Sequence, residues 1–298
     1  MIMLTETFQL SLFQKPQTGQ VVNVASVPQR SPFRYPGGKT WLVPVIRQWL
    51  LKQPKPPEEL VEPFAGGAII GLTAAFEGLA RYVTLVELDE DVAAVWQTIL
   101  EGDYQSLAQQ IVSFTATEEA LLKALACPPT SCHERAFQTI LRNRTQRGGI
   151  LASGAGKIRH GENGRGLFSR WYPQTLSRRI IEIGQIRGRI RFIHGDGMSI
   201  LQQYAHQKEA VFFLDPPYTA DGKRAGSRLY RHSCLDHNKL FHLAEGLAGD
   251  FLMTYDDSAG VQQLAQQHGL MHCSIPMKNT HHSLMQELLI GRDLSWLF

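Results

Sequence analysis

Five apolar residues, Ala210-Val211-Phe212-Phe213-Leu214, run directly into Asp215-Pro216-Pro217-Tyr218, and no other stretch constrains the fold as much as this junction. Each proline removes a backbone donor and fixes φ, so neither a strand nor a helix continues past Leu214. The run predicts a buried strand that ends in a sharp turn, and the carboxyl end of such a strand is where α/β sheets place ligands. The turn offers a carboxylate, two carbonyls outside any helix and an aromatic ring. These groups suit a planar base carrying an exocyclic amine: Asp215 and the Pro216 carbonyl accept its two N–H groups, and the Tyr218 ring stacks on its face.

A glycine-rich element lies upstream, Leu60-Val61-Glu62-Pro63-Phe64-Ala65-Gly66-Gly67-Ala68. It follows a short apolar strand and opens an amphipathic helix that is expected to run to about residue 77. Glycines let a backbone approach a ligand closely, and a helix amino terminus supplies free N–H groups. The spacing is not the G-x-G-x-x-G of a pyrophosphate loop, and Glu62 and Phe64 flank the turn where a cofactor without phosphates can be held. The next strand, expected over 82–86, ends in Glu87-Leu88-Asp89, which places Glu87 to bind two ribose hydroxyls. A third element, Ser31-Pro32-Phe33-Arg34-Tyr35-Pro36-Gly37-Gly38-Lys39-Thr40-Trp41, lacks the earlier glycine of a P-loop. It predicts a turn at Gly37-Gly38 and a helix from Lys39 or Thr40 to about residue 51.

In this order the three strings resemble the Dam-type family (D12 class, alpha group) of DNA adenine-N6 methyltransferases, over about residues 31–292. The resemblance implies an α/β fold: a Rossmann-like S-adenosylmethionine-dependent methyltransferase sheet with an inserted, mainly helical DNA-recognition lobe. It implies that Tyr35 and Lys39 meet the methionine part of S-adenosylmethionine, with Gly37 and Gly38 among the cofactor-binding residues. Glu62, Phe64, Ala65, Gly66 and Gly67 line the cofactor pocket, Glu87 holds the ribose, and Asp215, Pro216, Pro217 and Tyr218 hold the target adenine. In His194-Gly195-Asp196-Gly197, Asp196 falls where the family accepts from the cofactor's adenine amine, while Gly197 replaces the usual aromatic ring. No metal enters this scheme, and the four scattered cysteines show no paired zinc spacing.

The chain carries a net charge of only +3. Residues 133–191, however, hold twelve Arg and one Lys against Glu134, Glu162 and Glu182, a local balance of +10 that leaves −7 elsewhere. Such segregation points to a polyanion. Within it, Arg142, Asn143, Arg144, Gln146 and Arg147 are candidates for contacts to base edges, followed by a glycine-rich stretch over 154–166. Helix is expected over most of 101–127, then over 133–141 and 174–186, leading to a strand over 190–193. Further helices are expected over 238–247 and 260–267, with strands over 251–254 and 284–290.

The expected organisation is a flexible tail over 1–30, a catalytic domain made of 31–100 and 190–298, and a DNA-recognition insertion over 101–189. In the tail, Gln9-Leu10-Ser11-Leu12-Phe13 closely resembles the pentapeptide by which bacterial replication proteins bind the sliding clamp. Gln9, Leu10, Leu12 and Phe13 are the candidate contacts. No apolar run is long enough to span a membrane, and no secretory signal is evident. The expectation is a cytoplasmic monomer of bacterial or phage origin, acting on double-stranded DNA. Its reaction moves the methyl group of S-adenosylmethionine to the N6 amine of an adenine flipped out of a short specific sequence. Cytosine-N4 transfer presents similar geometry, and a DNA-binding module without catalysis is the alternative from another class.

Overall fold

The computed structural model describes residues 22, 24–35, 37–152, 154–161, 164–217, 235–278 and 284–298. Its strands are β1 (Glu59–Glu62), β2 (Tyr82–Glu87), β3 (Ile190–His194), β4 (Ala210–Leu214), β5 (Phe251–Asp256), β6 (Met271–Lys278) and β7 (Leu284–Gly291). They form one sheet in the order β3-β2-β1-β4-β5-β7-β6. The first five are parallel, whereas β7 runs antiparallel between β5 and β6.

Helices cover both faces, which is why the central strands are apolar at successive positions. The faces separate by the period of two expected of a strand. Leu60, Leu85, Val211, Phe213 and Leu252 point to one side, and Val61, Val86, Phe212, Leu214 and Met253 to the other. On the first side lie α1 (Val43–Leu51), α2 (Ile69–Glu77), α3 (Glu90–Leu100), α4 (Tyr104–Ser113), α5 (Glu118–Leu125), α6 (Cys132–Thr145) and α7 (Pro173–Gln185). On the second lie α8 (Gly197–Tyr204), α9 (His237–Gly246) and α10 (Ala259–Gln267). The strand order reverses between β1 and β4, so a crevice opens beyond the carboxyl ends of these two strands.

Helices α4 to α7 fill the connection between β2 and β3. Leu107, Ile111, Phe137, Ile140, Leu176 and Ile180 join the core beneath α3, so the helical region and the sheet share one core. Residues 24–30 depart from the expected flexible tail. Val27 is buried, and Arg30 pairs with Glu77 at 3.3 Å while its guanidinium lies 4.3 Å from the Phe76 ring centroid. Tyr218 and the pentapeptide of residues 9–13 lie outside the described residues. No described helix is long and apolar enough to cross a membrane.

Candidate active site

At the crevice, the loop between β1 and α2 makes its turn through two left-handed residues, Gly66 (φ 47°) and Ala68 (φ 50°). Trp96 Nε1 donates to the Gly66 carbonyl at 3.0 Å. A Cβ on Gly66 would fall 2.5 Å from Tyr35 Cε1, and one on Gly67 2.9 Å from Tyr35 Cβ. Only glycine lets the Tyr35 ring lie on this turn. Residues of the three strings, Tyr35, Gly37, Gly38, Lys39, Glu62, Phe64, Ala65, Gly66, Gly67, Glu87, Asp196, Asp215, Pro216 and Pro217, line one cavity of about 390 Å³. That volume is within the usual range for a small-molecule site.

Glu62, Glu87 and Asp196 in this cavity are held by backbone N–H groups. Glu87 accepts from Gly66 N (2.9 Å) and Asp89 N (2.8 Å), and burial pushes its carboxyl up to about 7 despite those two donors. Asp196 caps α8, accepting from Met198 N at 3.2 Å and Ser199 N at 3.1 Å. The glycine that follows has a steric cause, because a Cβ on Gly197 would meet the Pro63 carbonyl oxygen at 2.2 Å. An aromatic ring at this position has no room against the glycine turn.

Glu62 lies beneath α2, with Oε2 accepting from Gly71 N at 2.8 Å, and burial raises its carboxyl to about 8. The unfolded chain loses this proton near 4.5 and the folded protein only near 8, so ionisation of Glu62 removes stability as pH rises through that window. Glu62→Gln keeps a neutral acceptor for Gly71. Its stability relative to wild type is expected to rise by more than about 1 kcal/mol between pH 5 and pH 8, as read from urea midpoints. A constant difference would show that Glu62 stays ionised.

Lys39 lines the cavity and is held by acidic side chains. It is 2% exposed, and its Nζ lies 3.0 Å from Asp215 Oδ1 and 3.5 Å from Glu287 Oε2, while donating to the Gly37 carbonyl at 3.1 Å. Burial works against its charge, but Asp215 and Glu287 outweigh burial and raise its pKa. Thr254 Oγ1 also donates to Asp215 Oδ1, at 2.9 Å. Two donors from different elements therefore fix the carboxylate at the end of β4. Glu287, brought alongside by the antiparallel β7, is pushed by burial up to about 7, with Lys39 pulling it back. Thr254 and Glu287 each stand out in the sequence as a polar residue inside an otherwise apolar strand, but that pattern does not say what they pair with.

The expected base-reading residues divide. Arg147 is exposed and Arg142 half-buried, but Asn143 is 0% and Arg144 5% exposed. Asn143 accepts from Arg34 N at 2.9 Å and donates to Arg34 O (2.9 Å) and Gly149 O (2.8 Å). Arg144 Nη2 donates to the Pro32 carbonyl. Both side chains are engaged in holding residues 32–34 against α6 instead of facing outward, because a buried amide and a buried guanidinium need partners. Gln146 is half-buried. Among the described residues no His/Cys/Asp/Glu cluster could hold a metal ion.

A sheet whose strand order reverses between β1 and β4, with a cavity of small-molecule size at the reversal, belongs to the doubly wound α/β class, in which ligands bind at that crevice. Residues 35–123 match the model of the D12 class N6 adenine-specific DNA methyltransferase family. Among solved structures, it is similar to a candidate methyltransferase, yhhF of Escherichia coli, at 14% identity and a TM-score of 0.35, covering 90% of this chain and 91% of that one. It is also similar to a candidate RNA methyltransferase, PH1948 of Pyrococcus horikoshii, at 10% identity and a TM-score of 0.39, covering 97% and 98%. None of the curated proteins matches the chain.

Proposed function

We propose that this protein methylates the N6 amine of an adenine extruded from a short specific sequence in double-stranded DNA. The observation that carries this reading is the Asp215 carboxylate, anchored by Lys39 and Thr254 in the same cavity as the glycine turn and Glu87. The cavity fits the methyl donor by its chemistry. Carboxylates at Glu87 and Asp196 suit ribose hydroxyls and an adenine amine, and the Tyr35 ring covers a turn that a Cβ would block. When bound, the cofactor supplies an electrophilic sulfonium methyl.

The chain's own task is to orient the amine. An adenine amine shares its lone pair with the ring and is a weak nucleophile. Acceptors at Asp215 and the Pro216 carbonyl, aimed at its two N–H bonds, favour a pyramidal nitrogen with the lone pair turned toward the methyl group. Positive charge then develops on that nitrogen beside a fixed carboxylate, which stabilises the transition state without reorganisation. Tyr218 is proposed to stack on the extruded base and return ~1–3 kcal/mol of the cost of extrusion.

The region 101–189 serves in this reading as the DNA-recognition insertion. Arg147, Lys157, Arg159 and Arg165 are exposed along it, and Arg142, Gln146 and Arg147 remain its base-reading candidates. The test is methyl transfer from S-adenosylmethionine to unmethylated genomic DNA, with modified bases mapped by single-molecule sequencing. Methyladenine at one short motif is the expected result; methylcytosine would replace the reading by N4 transfer, and no transfer by a folded protein would overturn it. The pentapeptide at 9–13 further supports recruitment to the replication sliding clamp. Pull-down of the clamp by wild type and its loss on changing Leu12 and Phe13 to Ala is expected, and absence of wild-type capture would remove the idea.

A further inference from the structure

Arg144 combines deep burial with an unmet donor. Its Nη2 holds the Pro32 carbonyl, but its Nε is buried with no hydrogen-bond partner. Burial, and after it the neighbouring Arg179, Arg34 and Arg170, push its pKa down to about 9, with Tyr172 acting weakly the other way. Arg144, Arg34 and Arg179 all line the cavity that holds the glycine turn and Asp215. Arg179 is itself fixed, with Nη1 donating to the Ser31 carbonyl at 2.9 Å. A dry guanidinium with an unmet donor is costly to keep, and an anion in the cavity would complete Arg144.

Two observations select the anion. Lys39, the cation expected at the amino-acid end of the cofactor, is committed to Asp215 and Glu287. The arginine pocket is also tight: Gly149 is buried, and a Cβ there would meet the Arg34 carbonyl oxygen at 2.2 Å. A terminal carboxylate is small enough to enter and matches a guanidinium fork, whereas a phosphodiester brings two chain ends with it.

We propose that Arg144, with Arg34 and Arg179, forms the subsite for the α-carboxylate at the methionine end of the methyl donor. The assignment rests on the methyl-donor reading above. Calorimetric titration of the full chain with S-adenosylhomocysteine and with its decarboxylated analogue tests it. Wild type is expected to bind the carboxylate-bearing ligand roughly 10- to 100-fold more tightly, as charge-assisted hydrogen bonds imply. Arg144→Gln should shrink that ratio about tenfold. Arg179→Gln, which leaves the Arg144 contact to Pro32 intact, should shrink it as well. A wild-type ratio in both variants overturns the assignment, as does a kept ratio with weakened duplex DNA binding, which would give the cluster to a phosphate. Wild type that binds neither ligand would instead overturn the methyl-donor reading.

Discussion

Asp215→Asn is expected to lower the rate of methyl transfer roughly 100- to 1000-fold, the scale seen when one preorganised electrostatic partner is removed. Asparagine keeps the shape of the side chain but loses the negative charge that faces the developing positive nitrogen. Affinity for S-adenosylhomocysteine should change little, because Glu87, Asp196 and the glycine turn do not depend on Asp215. Single-turnover rates with a duplex substrate, set beside calorimetric cofactor binding, separate the two effects. A variant with a near-normal single-turnover rate would remove Asp215 from the chemistry.

Lys39→Met is expected to cost about 3–5 kcal/mol of stability, since it strips the counterion from two enclosed carboxylates. Asp215 and Glu287 have side chains only 21% and 10% exposed. Glu287 already sits near 7 with Lys39 present, so without the lysine it is expected to take a proton, and the cost should shrink as pH is lowered. Lys39→Met combined with Glu287→Gln should recover part of the loss. Urea unfolding of both variants is the measurement. A Lys39→Met protein within about 1 kcal/mol of wild type would mean that the triad adds nothing to the fold.

The lysine also shows where the sequence stops speaking. Strand β4 was legible because an unbroken apolar run ending in two prolines has few other solutions. The glycine turn was legible because its glycines follow a strand and open a helix. The partners of Lys39 were not legible, because Glu287 reaches it only through an antiparallel strand near the far end of the chain. Strand β6 escaped for a local reason: Met271–Lys278 shows no clean alternation and includes Pro276, which an edge strand tolerates. Helix α8 was hidden behind its own cap, since Asp196 was read as a ligand-binding residue and not as the start of a helix. Asn143 and Arg144 were read as surface groups because their composition suits DNA. Their burial depends on backbone 109 and 112 residues away, which no local pattern reports.

That distant attachment bears on how such an enzyme can be re-engineered. Ser31, Pro32 and Arg34 are tied by their backbone to Arg179, Arg144 and Asn143, so the stretch leading into the cofactor loop and the helices α6 and α7 behave as a single inheritable part. A chimera that imports a foreign 132–185 region must bring its own 31–35 segment with it. An exchange cut between them would join two halves of different hydrogen-bonding registers and slacken the loop that carries Tyr35.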